Sequence, residues 1–265
     1  LLDALSHGFS SVEADVFLLE GKLLIGHDPT ELRPDRTLRS LYLDPLRRLV
    51  ERNKGSVHPK GGELFLLIDI KTDGKATWEA LARELDAYRE ILTEFRDGKI
   101  TRRAVTAVVS GNRDFDAIAR TSPRYAGVDG RLSDLDLDHP PSLMPLVSDH
   151  FGRHFTWRGE GPIPAAERAK LERIVSRAHA KGYRVRFWAT PESRSVWEEL
   201  LRADVDHINT DDLAGLERFL REAGDVESAE RASAKLETKE RDGEEKPTPA
   251  TPHPPERESP ETSDE

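Results

Sequence analysis

The chemistry that this sequence could perform starts from two carboxylates in an apolar run. Glu13 and Asp15 stand two positions apart within 12–19, a stretch whose composition is typical of a β-strand. Because side chains alternate between the faces of a strand, both carboxylates point to one side. Carboxylates held side by side repel each other unless positive charge lies between them, and a hard divalent cation supplies that charge. The spacing therefore predicts a cation site, with a solvated acidic strand face as the alternative.

A histidine follows the same strand after a predicted hairpin. Glu20-Gly21-Lys22 favours a tight turn, and a short return strand then leads to Gly26-His27-Asp28-Pro29. The hairpin would bring His27 back toward the end of the first strand. Because imidazole exchanges protons near neutral pH, His27 is a candidate for proton transfer beside the carboxylates.

A second apolar run, 64–70, carries one acidic residue near its end. Asp69 and Lys71 are again two positions apart, so they share a face of the predicted strand. A carboxylate buried on so apolar a strand is costly without a partner. Asp69 could therefore join the two earlier carboxylates around a cation, whereas a mutual ion pair between Asp69 and Lys71 is the alternative.

Later predicted strands also end in polar or aromatic side chains. Arg186 and Trp188 close the segment 184–188, and on its own Trp188 is explained better by packing than by a site. Three residues that follow the segment 104–109 are explained better by a turn and a helix cap than by an anion site: Ser110, Asn112 and Arg113.

Predicted strands and helices alternate along the chain, which is typical of parallel βαβ units. We count seven strand-like segments in series besides the return strand of the hairpin, and a long helix over 76–95. The chain opens on a helix end before the first strand. This order predicts an α/β fold, a TIM-type (β/α) barrel that lacks its first strand. An open doubly wound sheet is the alternative, but the sequence has no Gly-rich phosphate loop after an early strand.

Composition separates a body from a tail. The segment 225–265 has 13 acidic and 6 basic residues and almost no large apolar side chain. Such a segment cannot bury enough apolar surface to become ordered. We therefore predict a barrel domain over 1–224 and an acidic disordered tail over 225–265. The tail carries −7 of the net charge of −10, which leaves −3 for the body and argues against nucleic acid as a partner.

The chain has no cysteine, which excludes disulfides and thiolate chemistry. No apolar run approaches the length of a membrane span. The first residue is Leu1 rather than Met, so we expect a fragment or a processed chain, with any signal peptide upstream. We expect a soluble monomer and favour export, although the sequence leaves its compartment open.

In their order along the chain, the motifs resemble those of a known superfamily. Val12-Glu13-Ala14-Asp15-Val16, Gly26-His27-Asp28-Pro29 and Ile68-Asp69-Ile70-Lys71 resemble the glycerophosphodiester phosphodiesterase and phosphatidylinositol-phospholipase-C-like (PI-PLC-like) superfamily. Four later segments resemble one branch of it, the fungal and bacterial proteins related to altered inheritance of mitochondria protein six: 145–149, 155–161, 186–191 and 208–213. No single motif is specific, whereas the ordered set is.

This resemblance implies a distorted TIM barrel that hydrolyses a glycerophosphodiester or phospholipid-like substrate with a bound Mg²⁺ or Ca²⁺ ion. The family's roles fall on six residues of this sequence, which are the metal ligands Glu13, Asp15 and Asp69, the catalytic His27, the phosphate contact Lys71 and the pocket wall Trp188. These roles agree with the physics, because a cation neutralises phosphate charge and a histidine moves a proton.

One departure from the family concerns its other catalytic histidine, which lies on the first strand. That strand would precede Leu1. His7 is no substitute, because it lies at a helix end just before a strand begins, which is the opposite end of a barrel. We therefore expect the chain as it begins here to be inactive or nearly so. A non-catalytic barrel that binds phospho-ligands or partners stays open as the alternative.

Overall fold

The structure, a computed structural model, describes residues 1–225. Its strands are β1 Ser11–Leu19, β2 Lys22–Ile25, β3 Leu64–Ile70, β4 Glu94–Arg96, β5 Lys99–Thr101, β6 Val105–Gly111, β7 Ala126–Gly130, β8 Leu146–His150, β9 Arg184–Trp188 and β10 His207–Ile208. Its α-helices are α1 Leu2–Ser6, α2 Asp44–Arg52, α3 Gly74–Asp86, α4 Phe115–Arg120, α5 Phe151–His154, α6 Ala165–Ala180, α7 Arg194–Arg202 and a last helix, α8, over 213–225. Short 3₁₀ turns lie at Pro29–Glu31 and Leu132–Asp136, and a π-helical turn at Arg39–Leu43.

Eight of these strands form one sheet in the order β10-β9-β8-β7-β6-β3-β1-β2. Every neighbouring pair is parallel except β1 and β2, which form the antiparallel hairpin predicted from the sequence. The parallel strands follow one another along the chain with helices between most of them. Their carboxyl ends therefore meet at one edge of the sheet, where sites form in folds of this kind.

The sheet curls strongly enough that side chains on the inner face of β3 contact side chains of β9 and β10. The rings of Phe65, in β3, and His207, in β10, have centroids 4.8 Å apart, and Arg184 of β9 lies 4.1 Å over the same Phe65 ring. β3 and β10 stand five places apart in the strand order, so a flat sheet would not allow these contacts. Within residues 1–225 no strand fills the gap between the two edge strands of the sheet, β10 and β2. The structure is thus a barrel open on one side, which confirms the predicted fold class.

The core lies on both faces of the curled sheet. The inner face carries a small apolar cluster of Phe65, Leu67, Val108 and Leu146, whereas larger apolar clusters pack the outer face against the helices. Strands that are covered on both faces have continuous apolar sequences, which explains the nearly unbroken apolar run at 64–70. Above the inner apolar cluster, the strands turn polar toward their carboxyl ends, and these polar residues form the site described below.

The predicted long helix over 76–95 is wrong in its second half. Helix α3 ends at Asp86, and the chain then forms the hairpin β4–β5, whose turn residues Asp97 and Gly98 have φ of 50° and 77°. Both values lie in the left-handed region that hairpin turns require. Tyr88, Ile91 and Leu92 are buried as their spacing indicated, but in a non-helical segment. In this segment the spacing of the apolar residues therefore predicted correctly which side chains are buried, but not the secondary structure.

Residues Leu1–Phe219 form one compact unit. Of the remaining part, Leu220–Glu265, only 220–225 is described, and it is helical. The predicted disorder of the tail concerns residues that lie, from 226 onward, outside those that the structure describes. Among the helices of 1–225, none combines the length and the apolar character that crossing a bilayer needs.

Candidate functional site

Three carboxylates meet at the carboxyl ends of β1 and β3. The register pairs Asp15 with Asp69 directly, and Glu13 lies two residues before Asp15 on the same face of β1. One oxygen from each of Glu13, Asp15 and Asp69 lies within 4.8 Å of the other two. Partial burial raises the pKa of Glu13, Arg186 lowers it, and the charges of Asp69 and Asp15 raise it further. The structure thus brings together the three residues that were predicted as one cluster.

Lys71 supplies positive charge to this cluster. Its Nζ lies 2.7 Å from Oδ2 of Asp69 and 2.9 Å from Oδ1 of Asp15. Burial by itself would lower the pKa of Lys71, but hydrogen bonds to Asp69 and Asp15 outweigh it and raise the pKa. The ion pair between Asp69 and Lys71 that the sequence left open is therefore present, and it includes Asp15.

Arg186 approaches the cluster from β9. Its guanidinium donates through one nitrogen to Glu13 and through the same nitrogen to Oδ1 of Asn209, at 2.5 Å in the second case. Arg186 is 9% exposed, whereas Glu13 is 38% exposed. The sequence marked Arg186 only as a strand-end residue, because nothing in it reveals that β9 faces β1 across the barrel.

His27 is attached to the same carboxylates. Its Nδ1 lies 3.0 Å from Oδ2 of Asp15, and its backbone N–H donates to Glu31 at 2.9 Å. The hydrogen bond and then the charge of Asp15 raise the pKa of His27. Asp28 fixes the following turn by accepting from Thr30 N–H at 2.9 Å. With 85% of its side chain exposed, His27 keeps Nε2 available to a ligand.

Trp188 ends β9, two residues after Arg186 and on the same face. Its ring packs edge-on against His150, with centroids 4.6 Å apart, and Arg153 lies 5.7 Å over it. The next residue, Ala189, has φ of 51°, a left-handed conformation that costs energy in a residue with a Cβ. The strand therefore turns sharply just past Trp188, at the edge of the sheet where the carboxylates lie.

His7 lies at the other end of β1. It caps α1 before the strand begins, and its Nδ1 lies 2.6 Å from Oε2 of Glu217. Trp157, in the segment 155–161, anchors the loop that follows it: its Nε1 donates to the carbonyls of Glu160 and Gly161 at 3.1 and 3.2 Å. Neither residue contacts the carboxylate cluster in the part of the chain described.

A buried polar network beside the cluster was missed by sequence reasoning. Asp129, in β7, is fully buried, and its Oδ2 accepts from Ser110, Ser148 and Arg131 at 2.7, 2.5 and 2.7 Å. Its Oδ1 has no hydrogen-bond partner among the described residues. The only signal in the sequence is the alternation Gly127-Val128-Asp129-Gly130-Arg131, which places two charged residues on one face of a short strand.

The carboxylate cluster fits a hard divalent cation by the chemistry of its donors. Mg²⁺ and Ca²⁺ prefer carboxylate oxygens, and Glu13, Asp15 and Asp69 offer them from two adjacent strands. Lys71 and Arg186 bond to the same carboxylates and would compete with such an ion for them. That these residues bind a cation stays a prediction.

Two family models match the chain. One, described as the AIM6-like phosphodiesterase domain, matches residues 1–129, and the other, the glycerophosphoryl diester phosphodiesterase family, matches 184–214. These ranges contain the carboxylate cluster with Lys71 and His27, and Arg186 with Trp188. The matches therefore fall on both sides of the candidate site.

Curated relatives give the same picture. "Altered inheritance of mitochondria protein 6 homolog" from Arthroderma benhamiae is 29% identical over 79% of this chain and 74% of its own length. "Altered inheritance of mitochondria protein 6" from Eremothecium gossypii is 29% identical over 83% of this chain, and that from Lachancea thermotolerans is 25% identical over 80%. The chain spans 66% and 61% of these last two, which is less than two thirds of their length.

Among solved structures, glycerophosphodiester phosphodiesterase from Agrobacterium tumefaciens is similar at 18% identity, with a TM-score of 0.43 over 81% of this chain and 89% of that one. The family models and the curated relatives confirm the resemblance predicted from the sequence: the chain is similar to the AIM6-like branch of the glycerophosphodiester phosphodiesterase and PI-PLC-like superfamily.

Proposed function

We propose that the protein is a metal-dependent phosphoric diester hydrolase that acts on a glycerophosphodiester or phospholipid-like substrate. One observation carries the proposal: Glu13, Asp15 and Asp69 converge at the carboxyl end of a curled parallel sheet, with Lys71 and His27 bonded to them. A cation site beside an ammonium and an imidazole is the set of groups that phosphodiester hydrolysis needs.

In this proposal Glu13, Asp15 and Asp69 hold Mg²⁺ or Ca²⁺. When bound, the ion supplies Lewis-acid neutralisation of the phosphate charge. Arg186 neutralises part of the charge of Glu13 and, through Asn209, ties β9 and the residues after β10 to the cluster. The carboxylates are thereby fixed by two strands on one side of the barrel and by an arginine from the other.

His27 moves the proton. Asp15 binds its Nδ1 and so orients the ring and favours the imidazolium. The proton at Nε2 is then available to the leaving alcohol, or Nε2 accepts one from the attacking hydroxyl. The exposed side chain leaves room for a substrate to approach this atom.

Lys71 and Trp188 bind and orient the substrate in the proposal. The ammonium of Lys71 already lies between two carboxylates of the cluster, so it stands within reach of a phosphate bound there. Trp188 offers an aromatic surface at the same edge of the sheet and would exclude water from one side of the pocket.

The test uses the full-length protein, with glycerophosphocholine and bis(p-nitrophenyl) phosphate as substrates and Mg²⁺, Ca²⁺ or a chelator in parallel. We expect ion-dependent release of a phosphomonoester. The double variant D15N/D69N should lose both hydrolysis and calorimetric binding of the ion. The matched control D136N/D138N removes two exposed carboxylates elsewhere and should retain both. Hydrolysis that persists in chelator would contradict the proposal.

A second candidate function, phospho-ligand binding without catalysis, is favoured by one observation. Within residues 1–225, His27 is the only histidine that bonds to the carboxylate cluster, whereas acid–base hydrolysis uses two proton-transfer groups. Under this alternative, the full-length protein would bind glycerophosphocholine in the presence of the ion, with no turnover over hours.

A further inference from the structure

Arg113 lies on a loop that is fixed against the carboxylate cluster. It follows β6 by two residues, and a Cβ added at Gly111 would come within 1.9 Å of Oδ1 of Asp69. Asn112 donates to the carbonyl of Lys71 at 3.2 Å. A Cβ at Gly74 would lie 2.0 Å from the carbonyl of Asn112, so the loop after β3 packs tightly on the loop after β6. The backbone therefore holds Arg113 beside the proposed site.

The guanidinium of Arg113 has few partners. It is half-buried, and among the described residues its single hydrogen bond is a long one, from NH1 to the carbonyl of Gly111 at 3.4 Å. Its Nε is buried without a partner, and it forms no ion pair with any residue of 1–225. An arginine carries five N–H donors, and a partly desolvated guanidinium is costly unless it is paired.

The acidic residues around Arg113 are engaged elsewhere. Oδ2 of Asp129 accepts from Arg131 at 2.7 Å, and Oδ2 of Asp134 accepts from the backbone N–H of Arg131 at 2.7 Å. Asp69 is bound by Lys71. Burial and then the charge of Arg131 lower the pKa of Arg113, and the charges of Asp129, Asp134 and Asp69 only offset part of this. Two guanidinium groups thus lie near each other, and one lacks a counter-ion in the described chain.

A cap or turn role does not account for the Arg113 side chain. The cap of α4 is made by the next residue: Oδ1 of Asp114 accepts from Ala117 N–H at 2.9 Å. Arg131, by contrast, is fully accounted for by its bonds to Asp129 and to the carbonyl of Gly130 at 2.9 Å. Among the described residues, no cap, turn or ion pair therefore explains the position of the Arg113 guanidinium.

We propose that Arg113 binds a second anionic group of the substrate, so that the preferred substrates are phosphodiesters that also carry a carboxylate or a phosphomonoester. This inference rests on the proposed function, since it places the reacting phosphodiester at the neighbouring carboxylate cluster. The planar guanidinium matches either anion through two parallel hydrogen bonds. Arg131, which is bound to Asp129, contributes positive electrostatic potential that favours the anion without contacting it directly.

The test uses two matched pairs of probes. Glycerophosphoserine differs from glycerophosphoethanolamine by one carboxylate, and glycerophosphoinositol 4-phosphate differs from glycerophosphoinositol by one phosphomonoester. Binding to the full-length protein is measured by calorimetry with Mg²⁺ or Ca²⁺ present, in an H27A background so that turnover does not interfere. We expect the anionic member of at least one pair to bind on the order of tenfold more tightly, and the pair that discriminates identifies the anion.

The variant R113Q should abolish this discrimination and leave the affinity for glycerophosphoethanolamine and glycerophosphoinositol unchanged. R113K keeps the charge without the planar fork and should retain part of the preference. The control R96Q removes an exposed arginine paired with Glu94 in β4 and should behave as the wild type. Thermal unfolding of each variant verifies that it folds.

Two outcomes would overturn the inference: a protein with Arg113 intact that binds both members of each pair equally or not at all, or an R113Q variant that still discriminates. The proposed hydrolysis is measured separately, with His27 intact and Mg²⁺ or Ca²⁺ present. Anion discrimination without hydrolysis would therefore refute the proposed activity and retain the binding role of Arg113, and hydrolysis without discrimination would do the reverse.

Discussion

Arg186 of β9 donates a hydrogen bond to Glu13 of β1, although 173 residues separate them in the chain. β9 and β1 are five places apart in the strand order, so the contact crosses the interior of the barrel. It joins the half of the sheet that carries Trp188 to the half that carries the acidic cluster. The pair thus fixes the relative position of the two halves of the candidate site.

This pair should contribute measurably to stability. Arg186 is nearly buried, but Glu13 is 38% exposed, so solvent screens the interaction. We expect a double-mutant cycle of R186Q and E13Q, measured by urea unfolding, to give a coupling free energy of about 1–2 kcal/mol. The same cycle on Arg177 and Asp136, an exposed pair, should give less than about 0.5 kcal/mol. Equal couplings would show that the crossing contact is not specific.

The sequence predicted the cluster because a strand has a period of two. Glu13 with Asp15, and Asp69 with Lys71, could be placed on single faces from their spacing alone, and the parallel register of β1 and β3 then aligned them. The contribution of Arg186 could not be predicted, because it depends on how strongly the sheet curls. Curvature arises from the twist and packing of all the strands together and leaves no local signal.

For a related reason, sequence reasoning missed Asp129 and ranked an anion site at Arg113 below a role in a turn and helix cap. A short strand such as 126–130 gives too few alternating residues to distinguish it from a loop. The lack of a partner for Arg113 is visible only once every neighbouring carboxylate has been assigned to another donor. Similarly, the end of α3 at Asp86 was missed because the apolar residues beyond it are buried in a hairpin connection.

His27 should be required for turnover but not for binding of the cation. We expect H27A to lower the hydrolysis rate of the full-length protein by about 10²- to 10⁴-fold, the usual cost of one positioned proton-transfer group. Calorimetric affinity for Mg²⁺ or Ca²⁺ should change little, since the three carboxylates remain. H7A is the control, because His7 bonds to Glu217 at the opposite end of β1. An essential His7 with a dispensable His27 would overturn the proposed site.

Lys71 should oppose binding of the cation while it favours binding of the substrate. Its ammonium bonds to Asp15 and Asp69, so an ion must displace it from their oxygens. We expect K71M to bind Mg²⁺ or Ca²⁺ several-fold more tightly in calorimetry and to show a higher KM for phosphodiesters. K75M, which removes an exposed lysine of α3, should leave both constants unchanged. Weaker ion binding by K71M would contradict this competition.

His207 should make the fold less stable in mild acid. Burial, and then the charge of Arg184, lower its pKa from 6.5 to about 4. The unfolded chain therefore binds a proton below about pH 6.5 that the folded chain excludes, so unfolding free energy falls as pH drops from 6.5 toward 4. At pH 5 this term amounts to roughly 2 kcal/mol. In urea unfolding, H207Q should lose about that much less stability than the wild type between pH 7 and pH 5, and parallel profiles would refute the assignment.

Gly111 should be essential to the geometry of the acidic cluster. Its φ of +67° is unfavourable for any residue with a Cβ, and the added atom would lie 1.9 Å from Oδ1 of Asp69. Gly98, in the β4–β5 turn, has a similar φ of +77° but nothing within 4 Å of its added Cβ. The variant G98A therefore measures the backbone cost alone, about 1–2 kcal/mol. G111A should cost more than G98A, because Asp69 must also move. It should in addition weaken binding of Mg²⁺ or Ca²⁺, which G98A should not affect. Equal unfolding free energies and equal ion affinities for the two variants would show that Gly111 serves only the turn and does not position Asp69.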